Sequence, residues 1–327
     1  MEQRPLPARQ PVSTQSPAVP PLLADQVSTA GRPRRRRGRR RWSEGLVALA
    51  FLAPLLFFYG IYYVYAFGFL ASVSRQRVSL TFTHALDVGW TNFSLVFTDP
   101  LFQRSVFNTL LFAAISIAAA LTLGFLVAMM ISTGVHARRL LYGVFLLPSL
   151  IPLSLFATVF GQMLETRDGA LNSLLRSVGL GGLAQDWLGQ TGPGYAAVTI
   201  LLVYMIGLPI MYYTSDVTAL NLSLIEAAAL DGASTWQIFR IMLFPLLRNT
   251  HKTVILSVLL GSFRAFDLIY FSTAGQPGGR TSITGTYIYN AALGSDRVGY
   301  AAAASLIVLL IAVLVSLVQL LTSRRRG

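Results

Sequence analysis

Six long apolar stretches follow one another along the chain, and they constrain its fold more than any other feature. They lie near residues 46–70, 107–132, 140–161, 194–217, 253–273 and 299–321. Each is long enough to cross a hydrocarbon core of roughly 30 Å as an α-helix. Only 12% of the 327 residues are charged, against about a quarter in soluble domains. The sequence therefore predicts an all-α integral membrane protein with six transmembrane helices.

The basic residues are distributed unevenly between the two sides of these stretches. Eighteen of the 26 Lys and Arg residues fall in the two terminal tails and in the second and fourth connections. Seven fall in the other three connections, which are longer in total than the second and fourth connections. Because Lys and Arg concentrate in cytoplasmic segments, both termini are predicted to lie in the cytoplasm.

Residues 1–44 differ in composition from the rest of the chain, being rich in Pro, Ser, Gln and Arg. We expect them to form a disordered cytoplasmic tail, because they cannot bury a core, and we expect residues 45–327 to form the membrane domain. The arginine run at 32–41 also resembles nucleic-acid-binding segments. Its place beside the first apolar stretch favours anionic lipid headgroups instead, so no nucleic-acid partner is predicted.

Several kinds of chemical site are excluded by the residue types present. The chain has no cysteine, and His84, His136 and His251 lie too far apart in sequence for metal-ligand spacing. Its one lysine, Lys252, lies in no glycine-rich turn, whereas a P-loop needs a lysine that reaches the nucleotide phosphates. We therefore predict no catalytic residues, no metal site and no bound cofactor in this chain.

The predicted cytoplasmic connection at 218–252 is longer than a turn requires. Ser223 and Glu226 fit a capping box that starts a short helix, and Gly232 is suited to end it. Ser234 or Thr235 can cap a second helix, which Pro245 stops or bends. The pattern predicts a helix–glycine–helix elbow with small alanines on its surface, suited to docking another protein. An amphipathic helix pair lying on the membrane surface remains an alternative.

Charged residues inside the predicted fifth span mark a second region of interest. Arg264 and Asp267 are three residues apart, so on a continuous helix they share one face and can pair. Intramembrane charges usually face the interior of a bundle. Phe266 and Tyr270 accompany them, and aromatic faces with polar groups suit sugar rings. The pair either lines a substrate pathway or forms a structural contact between helices.

Two further patterns concern helix packing. Ala120, Gly124 and Ala128 repeat every four residues in the second span, and such spacing lets helices approach closely. Three prolines inside predicted spans should bend their helices: Pro148, Pro152 and Pro209.

The elbow resembles the EAA loop of binding-protein-dependent ABC importer permeases. Glu226, Ala227, Ala228, Gly232 and Pro245 fall at that loop's spacing, and the "DGAS" segment at 231–234 is also typical of it. Met242 and Phe244 replace the usual Ile and Leu. The resemblance implies that Glu226, Ala227, Ala228, Asp231, Gly232 and Ser234 dock an ATPase.

Other segments are similar to sugar permeases of the MalF and UgpA type. They include "VGWTNFSLVFTDPLFQRSVFNT" (88–109), "DGALNSLLRSVGL" (168–180) and "FDLIYFSTAGQPGGRT" (266–281). The resemblance implies a sugar-importer permease in a bacterial plasma membrane. It implies four kinds of partner: a second permease chain, a cytoplasmic ATPase dimer that binds ATP and Mg²⁺, an extracytoplasmic solute-binding (lipo)protein, and a sugar. It also implies that the fifth span contributes to the transport pathway, where Arg264, Phe266, Asp267 and Tyr270 are the candidate residues.

Other functions remain possible for such a chain. A membrane scaffold or sensor would use the elbow to bind a cytoplasmic partner without moving solute. An importer of the same family would carry a non-sugar solute such as glycerol phosphate. An ion-coupled carrier is disfavoured, because carboxylates within the predicted spans are scarce.

Overall fold

The structure is a computed structural model, and it describes residues 37–132, 138–220 and 222–325. The chain divides into two compact units, one ending at Tyr63 and the other beginning at Val64. Most of the predicted tail, residues 1–36, lies outside the described residues. The boundary at residue 44 therefore stays a prediction, although the first helix already begins at Arg37.

The described residues are mostly helical, with one two-residue antiparallel strand pair. In chain order the elements are α1 (Arg37–Ser74), β1 (Gln76–Arg77), β2 (Leu86–Asp87), α2 (Thr91–Thr98), α3 (Pro100–Ala119), a π segment (Ala120–Gly124), α4 (Phe125–Ser132), α5 (Arg138–Leu150), α6 (Leu153–Met163), α7 (Ala170–Ser177), a 3-10 turn (Gly181–Leu183), α8 (Thr191–Tyr204), α9 (Gly207–Thr218), α10 (Leu222–Leu230), α11 (Thr235–Gln237), a π segment (Ile238–Leu243), α12 (Phe244–Leu246), α13 (Arg248–Phe263), α14 (Phe266–Ser272), α15 (Thr284–Tyr289), a π segment (Asn290–Gly294) and α16 (Val298–Arg325).

Within the described residues, four helices are long and apolar enough to cross a membrane. They are Leu49–Ser74, Pro100–Ser132, Thr191–Thr218 and Val298–Ser323. The predicted third and fifth spans are each a pair of helices with a sharp bend between them, so the count rises to six if each pair is one span. The helical membrane-protein class is confirmed. The six-span count rests on the bent pairs, and the orientation stays a prediction.

The predicted third span is broken between α5 and α6, whose axes differ by 109°. Pro152 immediately precedes α6 with extended dihedrals, φ −54° and ψ 130°. A proline disfavours helical geometry in the residue before it, which explains the break after Leu150. The predicted bend is therefore confirmed, and it is far sharper than an ordinary proline kink.

The small residues of the second span lie at a tight helix contact, as predicted. Ala120 and Ala128 are fully buried, and a Cβ atom added to Gly124 would lie 3.4 Å from the Pro209 Cβ of α9. This contact is part of the main core of the second unit, which also contains Phe125 and Tyr213. The core therefore holds the second and fourth predicted spans together.

The second long helix begins at Pro100, seven residues before the predicted start of its span. Asp99 caps it by accepting a 2.8 Å hydrogen bond from the Leu101 amide. The Tyr287 and Tyr300 hydroxyls donate to the other Asp99 oxygen. Burial raises the pKa of Asp99, but these hydrogen bonds and one from the Phe102 amide together outweigh burial and hold the pKa below its ordinary value. The cap thus joins α3, α15 and α16.

Candidate docking elbow and substrate pathway

Residues 222–247, which we call the elbow, form two short helices joined by a glycine turn. The first helix is α10, and it ends at Leu230. Beyond it, Gly232 adopts φ +83°. The Gly232 amide donates to the Ala229 carbonyl at 3.1 Å, and the Ala233 amide donates to the Ala228 carbonyl at 3.0 Å. This hydrogen-bond pattern is a Schellman motif, so Gly232 fixes where the first helix ends, as its sequence context predicts.

The second half of the elbow starts with a reciprocal cap. The Ser234 hydroxyl accepts from the Gln237 amide at 3.3 Å, and the Gln237 side chain accepts from the Ser234 amide at 2.7 Å. Such a capping box satisfies two amides that would otherwise lack partners. Of the two predicted caps, Ser234 and Thr235, the structure therefore uses Ser234.

One local prediction for the elbow is wrong in detail. The first helix begins at Leu222, so Ser223 lies within its first turn rather than at its N-cap. Pro245 lies inside α12, and the second helix ends one residue after it, at Leu246. A π segment precedes that proline, and the widened turn accommodates a residue that has no amide hydrogen.

The surface of the elbow combines polar and large apolar side chains. Glu226, Asp231 and Ser234 are exposed. Leu230 is 89% exposed and Trp236 is 63% exposed. Exposed large apolar groups beside polar ones are typical of protein contact sites. The predicted docking residues thus lie on one exposed turn, except that Ala228 is half-buried.

Aromatic rings connect this exposed surface to the core. The rings of Trp236 and Phe239 stack with centroids 5.3 Å apart. Phe239 lies 5.0 Å from Phe125, which begins α4 and is only 1% exposed. The elbow is therefore packed against the second predicted span and is not a free loop.

The predicted substrate residues lie at a break in the fifth span. Helix α13 ends at Phe263 and α14 begins at Phe266 after a 50° bend. Arg264 lies in the break and Asp267 lies beyond it in α14, and both are exposed. The expectation that they share one continuous helix face is therefore wrong, because the helix does not continue between them.

An aromatic cluster follows the break. The Phe266 and Tyr270 rings stack with centroids 5.1 Å apart. Tyr289, at the end of α15, completes the cluster at 5.1 Å from Phe266 and 4.7 Å from Tyr270. The Tyr270 hydroxyl lies 3.4 Å from the Tyr289 hydroxyl. The structure thus unites two predicted residues with one that was not predicted, and the cluster offers both ring faces and hydroxyls.

A buried amide fixes the loop between α14 and α15. Asn108 of α3 donates to the Arg280 carbonyl at 2.6 Å and to the Ser282 carbonyl at 2.8 Å. Its own oxygen accepts from the Tyr195 hydroxyl at 2.7 Å. The loop that separates Tyr270 from Tyr289 is therefore held in one arrangement.

Within the described residues, no group of three or more His, Cys, Asp or Glu side chains is placed to hold a metal ion. The side chains of the two candidate sites offer hydrogen bonding, ring contact and charge.

A comparison with protein families assigns the chain. The family described as "Binding-protein-dependent transport system inner membrane component" matches residues 120–327. This match covers more than half of the chain, including the elbow and the aromatic cluster. The chain belongs to this permease family.

Individual relatives of this permease match over most of their length. "Probable ABC transporter permease protein YurN" of Bacillus subtilis is 29% identical over 84% of this chain and 95% of its own. "Multiple sugar-binding transport system permease protein MsmF" of Streptococcus mutans is 26% identical over 87% of this chain and 96% of its own.

A solved structure has the same fold as the permease. It is a chain of a bacterial alginate ABC transporter, crystallised in complex with an alginate pentasaccharide-bound periplasmic protein. The alignment has a TM-score of 0.73 at 22% identity and covers 88% of this chain and 98% of that one. At this identity the likeness concerns the fold alone.

Sequence reasoning missed Tyr289 and Asn108 as parts of the candidate pathway. Tyr289 lies in a segment, "YIYNAAL", whose family likeness is visible in the sequence, but the likeness gives no contact. Asn108 is a polar residue in an apolar stretch, and that signal was available. Polar groups buried in a membrane helix need internal partners.

Proposed function

We propose that this permease is the transmembrane subunit of an ATP-binding-cassette importer for a sugar, in a bacterial plasma membrane. The elbow docks on a cytoplasmic ATPase dimer, which binds ATP and Mg²⁺ and hydrolyses the ATP. A second, homologous permease chain completes the pathway, and an extracytoplasmic solute-binding protein delivers the sugar. This chain itself binds no cofactor and catalyses no reaction, and both of its termini lie in the cytoplasm.

The observation that carries the docking role is the defined shape of the elbow. Gly232 in a left-handed conformation and the Ser234 cap fix the angle between its two halves. Exposed Leu230 and Trp236 offer apolar anchors, and large apolar anchors dominate the energy of protein contacts. A rigid contact of this kind transmits a displacement that a flexible loop would absorb.

Two observations support a sugar as the solute. The Phe266, Tyr270 and Tyr289 rings provide apolar faces with hydroxyl groups at their edges, which match the CH faces and hydroxyls of a sugar ring. Relatives of this chain carry names that refer to sugars or starch degradation products. Exposed Arg264 and Asp267 beside the cluster would add hydrogen bonds to hydroxyl groups.

The docking role is tested by co-purification of the ATPase with the tagged permease. Glu226→Lys reverses a charge on the exposed elbow, and Gly232→Pro cannot adopt a positive φ, so both should lose the ATPase. Asp168→Lys is the matched control, because it reverses an exposed charge in a different connection. Full ATPase retention by both elbow variants would refute the docking assignment.

The pathway role is tested by uptake in cells that express the complete importer. Arg264→Ala and Asp267→Ala should slow uptake while the ATPase still co-purifies. Arg104→Ala, an exposed arginine on α3, is the control for loss of a guanidinium group. Wild-type uptake in both pathway variants would show that Arg264 and Asp267 do not line the route.

A further inference from the structure

His251, near the start of α13, uses both ring nitrogens in buried hydrogen bonds. Its Nδ1 lies 2.7 Å from the Tyr213 hydroxyl, and its Nε2 lies 2.9 Å from the Phe244 carbonyl. A carbonyl can only accept, so Nε2 carries the hydrogen and Nδ1 accepts the hydroxyl hydrogen. In the neutral imidazole this arrangement satisfies both ring nitrogens.

These two hydrogen bonds join three helices. Phe244 lies in α12, the last helix of the elbow. This helix ends at Leu246. The last carbonyls of a helix lack partners within it, and His251 supplies one for Phe244. Tyr213 lies on α9, the second half of the fourth predicted span. One side chain thus connects the end of the elbow to the fourth and fifth spans.

A second hydrogen bond reinforces the connection between α9 and α13. The Thr250 hydroxyl donates to the Asp216 carboxylate. Thr250 is adjacent to His251, and Asp216 lies about one helical turn after Tyr213. Two neighbouring contacts therefore fix the position of α13 along α9.

The aromatic rings around His251 form a cluster, and each of them contacts Phe125 of α4. The Phe125 centroid lies 5.2 Å from that of Tyr213, 5.0 Å from Phe239, 5.8 Å from Phe244 and 5.8 Å from His251. Two of these residues, Phe239 and Phe244, belong to the elbow. Close-packed interiors transmit strain because they have little free volume, so a movement of the elbow is passed to α4, α9 and α13.

We propose that His251 is a positioning residue for transport, which transmits displacement of the elbow to α9 through the Tyr213 hydroxyl. The proposal rests on the proposed function, in which an ATPase moves the elbow. It separates two roles within this region. The exposed turn at Gly232 holds the partner, and the buried bond between His251 and Tyr213 carries the partner's movement into the bundle.

Two variants interrupt this connection without altering the exposed surface. Tyr213→Phe removes one oxygen and keeps the ring, and His251→Leu removes both hydrogen bonds. Tyr212→Phe is the matched control, since Tyr212 is the next residue along α9 and is 38% exposed. Both test variants should retain the ATPase, because neither residue lies on the docking surface.

The experiment is hydrogen exchange of the assembled importer in lipid nanodiscs, with and without ATP, Mg²⁺ and vanadate as the probe. In the wild type, the probe should change exchange in peptides from the elbow and from α9. In Tyr213→Phe and His251→Leu, the elbow should still respond, while the α9 response falls at least about fivefold, the lower end of usual coupling between sites. Tyr212→Phe should respond as the wild type does.

Two other outcomes overturn the proposal, and they are distinguishable. An α9 response of wild-type size in Tyr213→Phe, with the ATPase bound, shows that the hydroxyl does not carry the movement. Failure of His251→Leu to assemble leaves Tyr213→Phe to decide. If no ATPase co-purifies with the wild type, the proposed function itself is wrong and the role of His251 falls with it.

Discussion

Replacing Gly232 by alanine tests how much the left-handed backbone conformation at this position contributes to the stability of the elbow. Gly232 has φ +83°, and a Cβ atom added there meets no other atom within 4 Å. The substitution therefore creates no collision, and its cost comes from the left-handed conformation alone. For an L-residue that cost is roughly 1–2 kcal/mol.

In the Gly232→Ala variant, this conformational cost sets how often the elbow opens. A free energy of 1.4 kcal/mol changes an equilibrium tenfold, so about 1–2 kcal/mol corresponds to roughly a 5- to 30-fold rise in the population of open elbows. The Gly232 and Ala233 amides close the Schellman motif, and their protection against hydrogen exchange should fall by that factor. ATPase affinity should fall by a smaller or equal factor, because only the ordered elbow binds.

The measurement is amide exchange of elbow peptides, compared among three variants. Gly232→Asn should lose less protection than Gly232→Ala, because asparagine tolerates the left-handed region better. Gly143→Ala is the control. Gly143 lies inside α5, also with no atom near an added Cβ, and there the same change should stabilise the helix by about 0.5–1 kcal/mol.

Lower protection in Gly232→Ala together with higher protection in Gly143→Ala would support the conformational explanation. Wild-type protection in Gly232→Ala would refute it, because the left-handed residue would then not determine the elbow's stability. Equal losses of protection in the alanine and asparagine variants would also contradict it. The loss would then not depend on how well the residue tolerates the left-handed conformation.

Three further predictions concern other contacts. Ser234→Ala removes the acceptor of the Gln237 amide and should destabilise the second elbow helix by about 1 kcal/mol, measured as faster amide exchange there. Tyr289→Ala should slow sugar uptake more than Tyr289→Phe, which keeps the ring contacts, each worth about 0.5–1.5 kcal/mol. The depressed pKa of Asp99 stabilises the fold above its unfolded value near 3.9, and this contribution is lost as the pH falls through the lower folded value. The Tm difference between wild type and Asp99→Ala should therefore be full at pH 7 and shrink below about pH 4.

Much of the fold was predictable because hydrophobic length and turn chemistry act locally. The apolar stretches predict where the long helices lie, and a glycine followed by "AST" predicts where the elbow turns. Pro152 predicts a break that the structure contains. In each case the residues that determine the structure are neighbours in sequence, so one segment contains the whole physical cause.

The break at Arg264 was not predictable in this way. No proline lies there, and the segment reads as a continuous apolar helix. The structure shows close packing just beyond the break, where a Cβ atom on Gly285 would lie 3.1 Å from the Phe266 Cβ. Gly285 comes from α15, so the contact beside the break involves a distant part of the chain.

The role of His251 was also not predictable, because its partners are distant in sequence. Sequence spacing predicts only that the three histidines do not form a metal site. It cannot reveal that a tyrosine 38 residues away donates to the ring, because no periodicity connects α9 with α13. Tyr289 and Asn108 likewise acquire their roles only when helices far apart in sequence are packed together.

The π segment at Ile238–Leu243 has a consequence for how this connection can vary in length. Successive residues of an α-helix are rotated by about 100° around its axis, and a π turn holds an extra residue within that rotation. Trp236 before the segment faces outward, whereas Phe244 after it contacts the His251 ring at 4.4 Å. Deleting one residue between them would turn the outward surface by about a quarter of a circle relative to the rings of Phe244 and His251. The extra residue therefore sets the angle at which the elbow presents itself, and this connection tolerates a change of residue type better than a change of length.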